Sequence, residues 1–181
     1  MKATTTLILG SLIASLVGCR VTERAAESAK TVYQDSEERQ LKRTLQQTHE
    51  LGARATTVVL YEVANEFDDD FATFKSKPRI AGYPIRSEHR LNRLGVHDLI
   101  ETLSDRSSYF PPNHGWACLF EPHHVLQLQG GADTETIVIC VHCGDIDFHI
   151  NKTVIGKSVQ PKANALIEAQ LKSLISKSVG R

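Results

Sequence analysis

Three cysteines in the second half of the chain are the residues best placed to do chemistry. Cys140 and Cys143 are separated by two residues and followed by Gly144, and Cys118 lies upstream of them. A pair with this spacing can hold a metal ion, form a disulfide or carry out thiol redox chemistry. The elements around the pair decide between these three roles.

The redox interpretation depends on a helix behind the pair. Cys-Val-His-Cys resembles the centre of periplasmic thiol oxidases of the thioredoxin superfamily, in which the first cysteine lies at a helix N-terminus that lowers its pKa. Here Ile146, Phe148 and Ile150 alternate with polar residues, which predicts a strand with one wet face. We therefore expect a redox role to be the weakest of the three.

Strand geometry requires a turn within the motif. Residues i and i+3 of a straight strand have Cα atoms about 10 Å apart, whereas a disulfide needs them within about 7 Å. A turn at Val141 and His142, which Gly144 permits, would let the two cysteines act together. A tight turn of this form resembles a zinc knuckle, which supplies two of the four ligands of a structural zinc.

A predicted β-hairpin supplies candidates for the other partners. Alternating and β-branched runs flank Gly131 and Ala132, and such runs joined by a short glycine-containing turn form an antiparallel pair. Positions then pair when their numbers sum to roughly 263. Cys140 faces His123 in this register.

Two structural roles for the cysteines remain open. The first is a cross-strand disulfide of Cys118 with Cys143 or Cys140, and the second is a zinc site with three cysteines and one histidine. The candidate residues for these roles are Cys118, His123, His124, Cys140 and Cys143. The pattern of a cysteine, a hairpin and Cys-x-x-Cys also resembles that of uncharacterised small bacterial proteins, and this resemblance implies that the cysteines act as a set.

The N-terminal residues predict a lipid anchor. Residues 7–17 form an apolar run behind Lys2, far shorter than the roughly 20 residues that span a bilayer, which is the layout of a secretory signal. The run ends in Leu-Val-Gly-Cys, which resembles the lipobox of bacterial lipoproteins and implies removal of residues 1–18 and acylation (palmitate) of Cys19. Two or more acyl chains anchor a protein stably. Arg20 stands where an aspartate would favour the inner membrane, so the resemblance favours the outer membrane, on its periplasmic or surface side.

Composition and compartment restrict the partners. The chain has 21 basic and 21 acidic side chains, so we expect no nucleic acid, whose binders carry a basic face. Besides Cys19 the chain has an odd number of cysteines, which in an oxidising envelope allows one internal disulfide plus a thiol, or a shared metal.

Residues 19–52 are predicted to be a lipid-anchored polar helical tether, and residues 53–181 the folded domain. Asp35 and Glu38 have the spacing of a capping box at a helix start, and the apolar stripe is narrow, chiefly Leu41 and Leu45. A partly exposed spacer fits this pattern better than a coiled-coil helix, which needs more heptads.

The domain is predicted to be α+β. Strand signals cluster with few helical crossovers between them, and two amphipathic segments are present; the predicted strands are 56–63, 85–91, the hairpin around Gly131 and 146–150, and the predicted helices are 91–103 and 161–175. We expect a small antiparallel sheet of about three to five strands with two packing helices.

No further catalytic constellation stands out. The aspartates at 68–70 lack the alternating spacing of a calcium loop and predict a solvated loop. The leading hypothesis is an envelope lipoprotein that is not an enzyme, has no cofactor, and binds an envelope protein, a peptide or a cell-wall component. The alternatives are a zinc-binding envelope protein and a thiol-redox or hydrolytic enzyme.

Overall fold

The computed structural model describes residues 6–111, 119–151 and 153–179, with side chains from residue 30 to residue 178 within those ranges. The helices are α1 (Thr6–Arg54), α2 (Phe71–Phe74), α3 (Arg93–Ser104) and α4 (Pro161–Val179), with a 3₁₀ turn at Arg106–Ser108. The strands are β1 (Thr57–Val63), β2 (Arg79–Ile80), β3 (Tyr83–Leu91), β4 (His124–Gly130), β5 (Asp133–Cys140), β6 (Asp145–Ile150) and β7 (Thr153–Ser158).

The strands form one sheet in the order β2-β3-β1-β4-β5-β6-β7, and neighbouring strands run antiparallel. The α+β class is confirmed, whereas the expected three to five strands were too few, because the sheet has seven. β2 has two residues, and β7 lies at an edge with Gly156 and Lys157 in its sequence. Short or edge strands of this kind carry little hydrophobic alternation, so they are hard to recognise from sequence.

The main core lies between one face of the sheet and three helices. Alternate strand residues such as Leu60, Leu126 and Ile137 are fully buried on that face, because successive side chains of a strand point to opposite sides. Tyr109 and Phe148 meet there with ring centroids 6.1 Å apart. The helix residues in this core are Leu41, Leu45, Leu51, Val96, Leu99, Ile100, Leu103, Ile167, Leu171 and Leu174.

Helix α1 contributes to two compact units, Met1–Arg39 and Gln40–Arg181. In the first unit the side chains at 30–39 are largely exposed; Val32 and Tyr33 are 63% and 57% exposed. Asp35 lies inside α1, so the capping box does not mark a helix start. Within the described residues, no helix is both long and apolar enough to cross a membrane.

The second unit includes the end of α1. Leu41 and Leu45, which were predicted to belong to a spacer, are only 1% and 3% exposed. The interpretation of all of 19–52 as tether was therefore too broad, since residues 40–52 pack in the domain. A narrow leucine stripe sufficed for burial because the sheet supplies the rest of the apolar surface.

Candidate functional site

The two strands that carry the cysteine pair are joined by a tight turn. β5 ends at Cys140 and β6 begins at Asp145, so residues 141–144 reverse the chain. The N–H of Gly144 donates to the carbonyl of Cys140 at 2.9 Å, and Gly144 has φ +69°, a left-handed conformation that glycine adopts without strain. The turn predicted from strand geometry is confirmed.

Both sulfur atoms lie among hydrogen-bond donors. The backbone N–H of Cys143 donates to Cys140 Sγ at 3.4 Å, the N–H of Asp145 donates to Cys143 Sγ, and the thiol of Cys143 donates to the carbonyl of Cys140 at 4.0 Å. Cys140 is 1% exposed and Cys143 is half-buried, and both are free thiols. We call Cys140 and Cys143 the cysteine clasp. It lies at the turn of the β5–β6 hairpin.

The thiol of Cys143 is not activated. Burial and the adjacent Cys140 raise the pKa of Cys143, and the hydrogen bond from Asp145 only partly opposes them. A nucleophilic cysteine needs the opposite change, because the thiolate is the reactive form.

The hairpin register agrees with the sequence prediction. His124 pairs with Ile139 and Gly130 pairs with Asp133, so the numbers of paired positions sum to the predicted value of roughly 263. Continuing this register by one residue places His123 beside Cys140, both on the face away from the helices. Cys118 lies outside the described residues, so its pairing with Cys140 or Cys143 stays a prediction.

His123 is held by an acidic loop. Its Nε2 lies 3.0 Å from Asp68 Oδ1 and 3.0 Å from Asn65 Nδ2, and Arg86 donates to Asp68 Oδ2 at 2.8 Å. Burial acts to raise the pKa of Asp68, but the N–H of Asn65, His123 and Arg86 outweigh it and lower the pKa. Arg86 also pairs with Asp70, so the expected solvated loop is instead tied to β3.

His124 lies on the opposite face of the sheet from Cys140. Its Nδ1 is buried without a hydrogen-bond partner among the described residues, and burial lowers its pKa while the nearby Glu62 opposes the change. Because adjacent strand residues face opposite sides, only His123 can join the cysteines. The structure therefore separates the two histidines that the sequence left as alternatives.

A polar network on the helix side was not predicted from the sequence. His89 Nε2 lies 3.0 Å from Glu62 Oε2, His89 Nδ1 lies 2.6 Å from Ser178 Oγ, and Ser87 donates to Glu62. His89 and Ser178 border an open cleft of about 400 Å³. The members of this His89 network come from β1, β3 and α4, and no spacing in the sequence links them.

The order serine, histidine and carboxylate resembles a hydrolytic triad, in which the histidine accepts the proton of the serine. Ser178 Oγ lies 2.7 Å from the carbonyl of Ile175 and 2.6 Å from His89 Nδ1, so its one hydroxyl proton has two acceptors within reach. The Glu62 carboxylate faces His89 Nε2, which favours the proton of a neutral imidazole on Nε2 and makes Nδ1 an acceptor. The distances therefore match the triad order, with the Ile175 carbonyl competing for the hydroxyl proton of Ser178.

The described residues contain no group of three or more His, Cys, Asp or Glu side chains that could hold a metal ion. Within that part of the chain the cysteine clasp offers two sulfur ligands, and strand alternation places His123 on the same face of the sheet as Cys140.

No protein-family model matches the chain, and no curated protein matches it. Among solved structures, the chain is similar to a crystal structure described as a putative lipoprotein from Clostridium perfringens, with 12% sequence identity and a TM-score of 0.46. The similarity covers 75% of this chain and 96% of that chain. A similarity at this level shows neither a shared family nor a shared activity.

Proposed function

We propose that this protein is a bacterial envelope lipoprotein, anchored by an acylated Cys19, whose α+β domain is a binding module and not an enzyme. The observation that carries the proposal is the Leu-Val-Gly-Cys sequence ending at Cys19, directly after a short apolar run. The exposed helical stretch at 30–39 supports a spacer between anchor and domain. Arg20 favours retention at the outer membrane.

The described side chains support a binding role over catalysis. The pKa of Cys143 is raised, so its thiol is not a ready nucleophile, and the carbonyl of Ile175 competes with His89 for the hydroxyl proton of Ser178. The sheet face away from the helices carries half-buried Tyr61 and Tyr83 around Val63 and Val125. Aromatic rings with one polar end are common in recognition surfaces, and we assign this face to an envelope protein or a cell-wall component.

The anchor is tested by labelling with an alkyne analogue of palmitate in a bacterium with two membranes. Wild type and Cys143→Ser should carry the label and sediment with membranes, whereas Cys19→Ser should lose the label and leave the membrane fraction. Cys143→Ser is the matched control because it removes a thiol far from the lipobox. Label on Cys19→Ser would refute lipidation at this residue.

A second candidate function is zinc binding by Cys118, His123, Cys140 and Cys143. It is favoured by the N–H donors to both sulfur atoms, since such hydrogen bonds stabilise thiolate ligands once a cation is present. With His123 Nε2 held by Asp68, Nδ1 is the nitrogen that would bind the metal, an arrangement common among zinc ligands.

Intact mass, thiol alkylation before and after reduction and denaturation, and a zinc assay separate the alternatives. One equivalent of zinc released together with the thiols would support the metal site. A disulfide of Cys118 with Cys140 or Cys143 would leave one thiol alkylated before reduction. Alkylation of all three cysteines after denaturation alone, without zinc, would contradict both structural roles.

A further inference from the structure

Glu135 is a buried carboxyl group with an unfilled hydrogen-bonding position. Its side chain lies on the core face of β5 and is 1% exposed. Oε1 accepts a hydrogen bond from Thr48 Oγ1 of α1 at 2.5 Å, whereas Oε2 is buried and has no partner among the described residues. An unsatisfied buried oxygen of this kind is uncommon and costs free energy, so it calls for a ligand or a proton.

This carboxyl group borders a cavity of about 160 Å³ between the end of α1 and the β5–β6 strands. The guanidinium of Arg54 already has partners in this cavity, because it pairs with Asp133 and donates to the carbonyl of Gly130 at 3.1 Å. Glu50 lies on the wall as a further carboxylate. With the Arg54 charge offset by Asp133, the remaining charge of the cavity is negative.

The other wall residues are of two kinds. Leu51 and Ile150 are apolar, whereas Gln47, Thr134 and Asn151 are polar. A water molecule takes up about 30 Å³ of liquid, so the space accepts a short alkyl chain with a small polar head. The cavity thus combines a carboxylate oxygen that needs a donor with side chains that suit methylene groups.

We propose that this cavity binds a primary alkylammonium group, such as that of a lysine side chain or a small amine, with its N–H groups donating to Glu135 Oε2. The alkyl chain lies against Leu51 and Ile150. A divalent metal would need several oxygen ligands at fixed short distances, and the described residues offer no such group here. An anion is excluded by the carboxylates.

A proton competes for the same oxygen. Burial raises the pKa of Glu135 to about 7, and the hydrogen bond from Thr48 opposes the change. The charged or titratable groups that face it are Glu50 and Arg54 of α1, Asp133 of β5 and Tyr109. Since the ammonium group pairs with the ionised carboxylate, its binding should release the proton and weaken about tenfold from pH 8 to pH 6.

The test uses the full-length protein and n-butylammonium, with titration followed by calorimetry. n-Butanol has the chain without the charge, and tetramethylammonium has the charge without N–H donors. We expect n-butylammonium alone to bind to wild type, with an affinity about tenfold lower at pH 6 than at pH 8. Glu135→Gln should abolish this binding, and Glu66→Gln, an exposed carboxylate, should leave it unchanged.

Three outcomes would overturn the proposal. Equal binding of n-butanol would show a merely apolar cavity, equal binding of tetramethylammonium would show non-directional charge attraction, and unchanged binding by Glu135→Gln would place the amine elsewhere. The comparison of pH 6 with pH 8 is made on wild type, so it decides the question even if the variant does not fold.

Discussion

Replacing Glu135 by Gln should remove a pH dependence of stability that this one side chain imposes. The pKa of Glu135 is raised from 4.5 to about 7 in the folded protein, because burial penalises its charged form. The folded state therefore holds the proton more tightly than the unfolded state does. The contribution of Glu135 to stability should therefore be most favourable below about pH 4.5, fall as the pH rises towards 7, and level off above it.

The size of the effect follows from the two pKa values. A difference of this size corresponds to a loss of about 3 kcal/mol in the free energy of unfolding once the pH is well above 7. Gln keeps the shape and the acceptor for Thr48 but cannot ionise. Between pH 5 and pH 8, wild type should thus lose about 2 to 3 kcal/mol relative to Glu135→Gln.

Urea unfolding followed by circular dichroism at pH 5, 6, 7 and 8 measures this difference directly. The m-value should be the same for both proteins, so that the change in midpoint reports stability. Glu66→Gln is the control, and its curve should run parallel to that of wild type because Glu66 is exposed. Parallel curves for wild type and Glu135→Gln would refute the reasoning, since Glu135 would then not exchange a proton on folding in this range.

Two further predictions concern packing. Leu41→Ala should lower stability by about 2 to 5 kcal/mol, whereas Val32→Ala, on the exposed part of the same helix, should change it by less than about 0.5 kcal/mol; equal effects would contradict the boundary at Arg39 and Gln40. Gly52→Ala should destabilise, because its Cβ would lie 2.6 Å from Ile100 Cγ2, whereas Gly95→Ala, with open space around it, should stabilise by about 0.5 to 1 kcal/mol in thermal unfolding.

The sequence predicted best what local pairing determines. The β4–β5 register followed from two strand patterns and the Gly131 turn, and the turn before Gly144 followed from the reach of a strand. β7 was missed because it is an edge strand, which pairs with β6 on one side, and its side chains are largely exposed. Burial of Leu41 was missed because it depends on surface supplied by distant strands, which a helical stripe alone does not reveal.

The same contrast between local patterns and distant contacts explains which parts of the site could be predicted. Alternation along β4 could have separated His123 from His124, since residues of opposite parity face opposite sides. Alternation along β5 likewise placed Glu135 on the face of Ile137 and Ile139, which was a usable signal for a buried acid. In contrast, the contact of His123 with Asp68 joins a loop to a strand end across 55 positions, and no local pattern encodes it.

The surroundings of the cysteine clasp distinguish the redox role from the disulfide and metal-binding roles, although all three use the same Cys-x-x-Cys spacing. Burial and the neighbouring thiol keep Cys143 protonated, so attack on a disulfide, which needs a thiolate, is disfavoured. The N–H donors to both sulfur atoms favour the thiolate form and so act to lower the pKa. They can stabilise two thiolates only when a cation offsets the repulsion between the two negative charges. Slow alkylation of Cys143 in the native protein at neutral pH is therefore expected under either structural role, and rapid alkylation there would restore the redox interpretation.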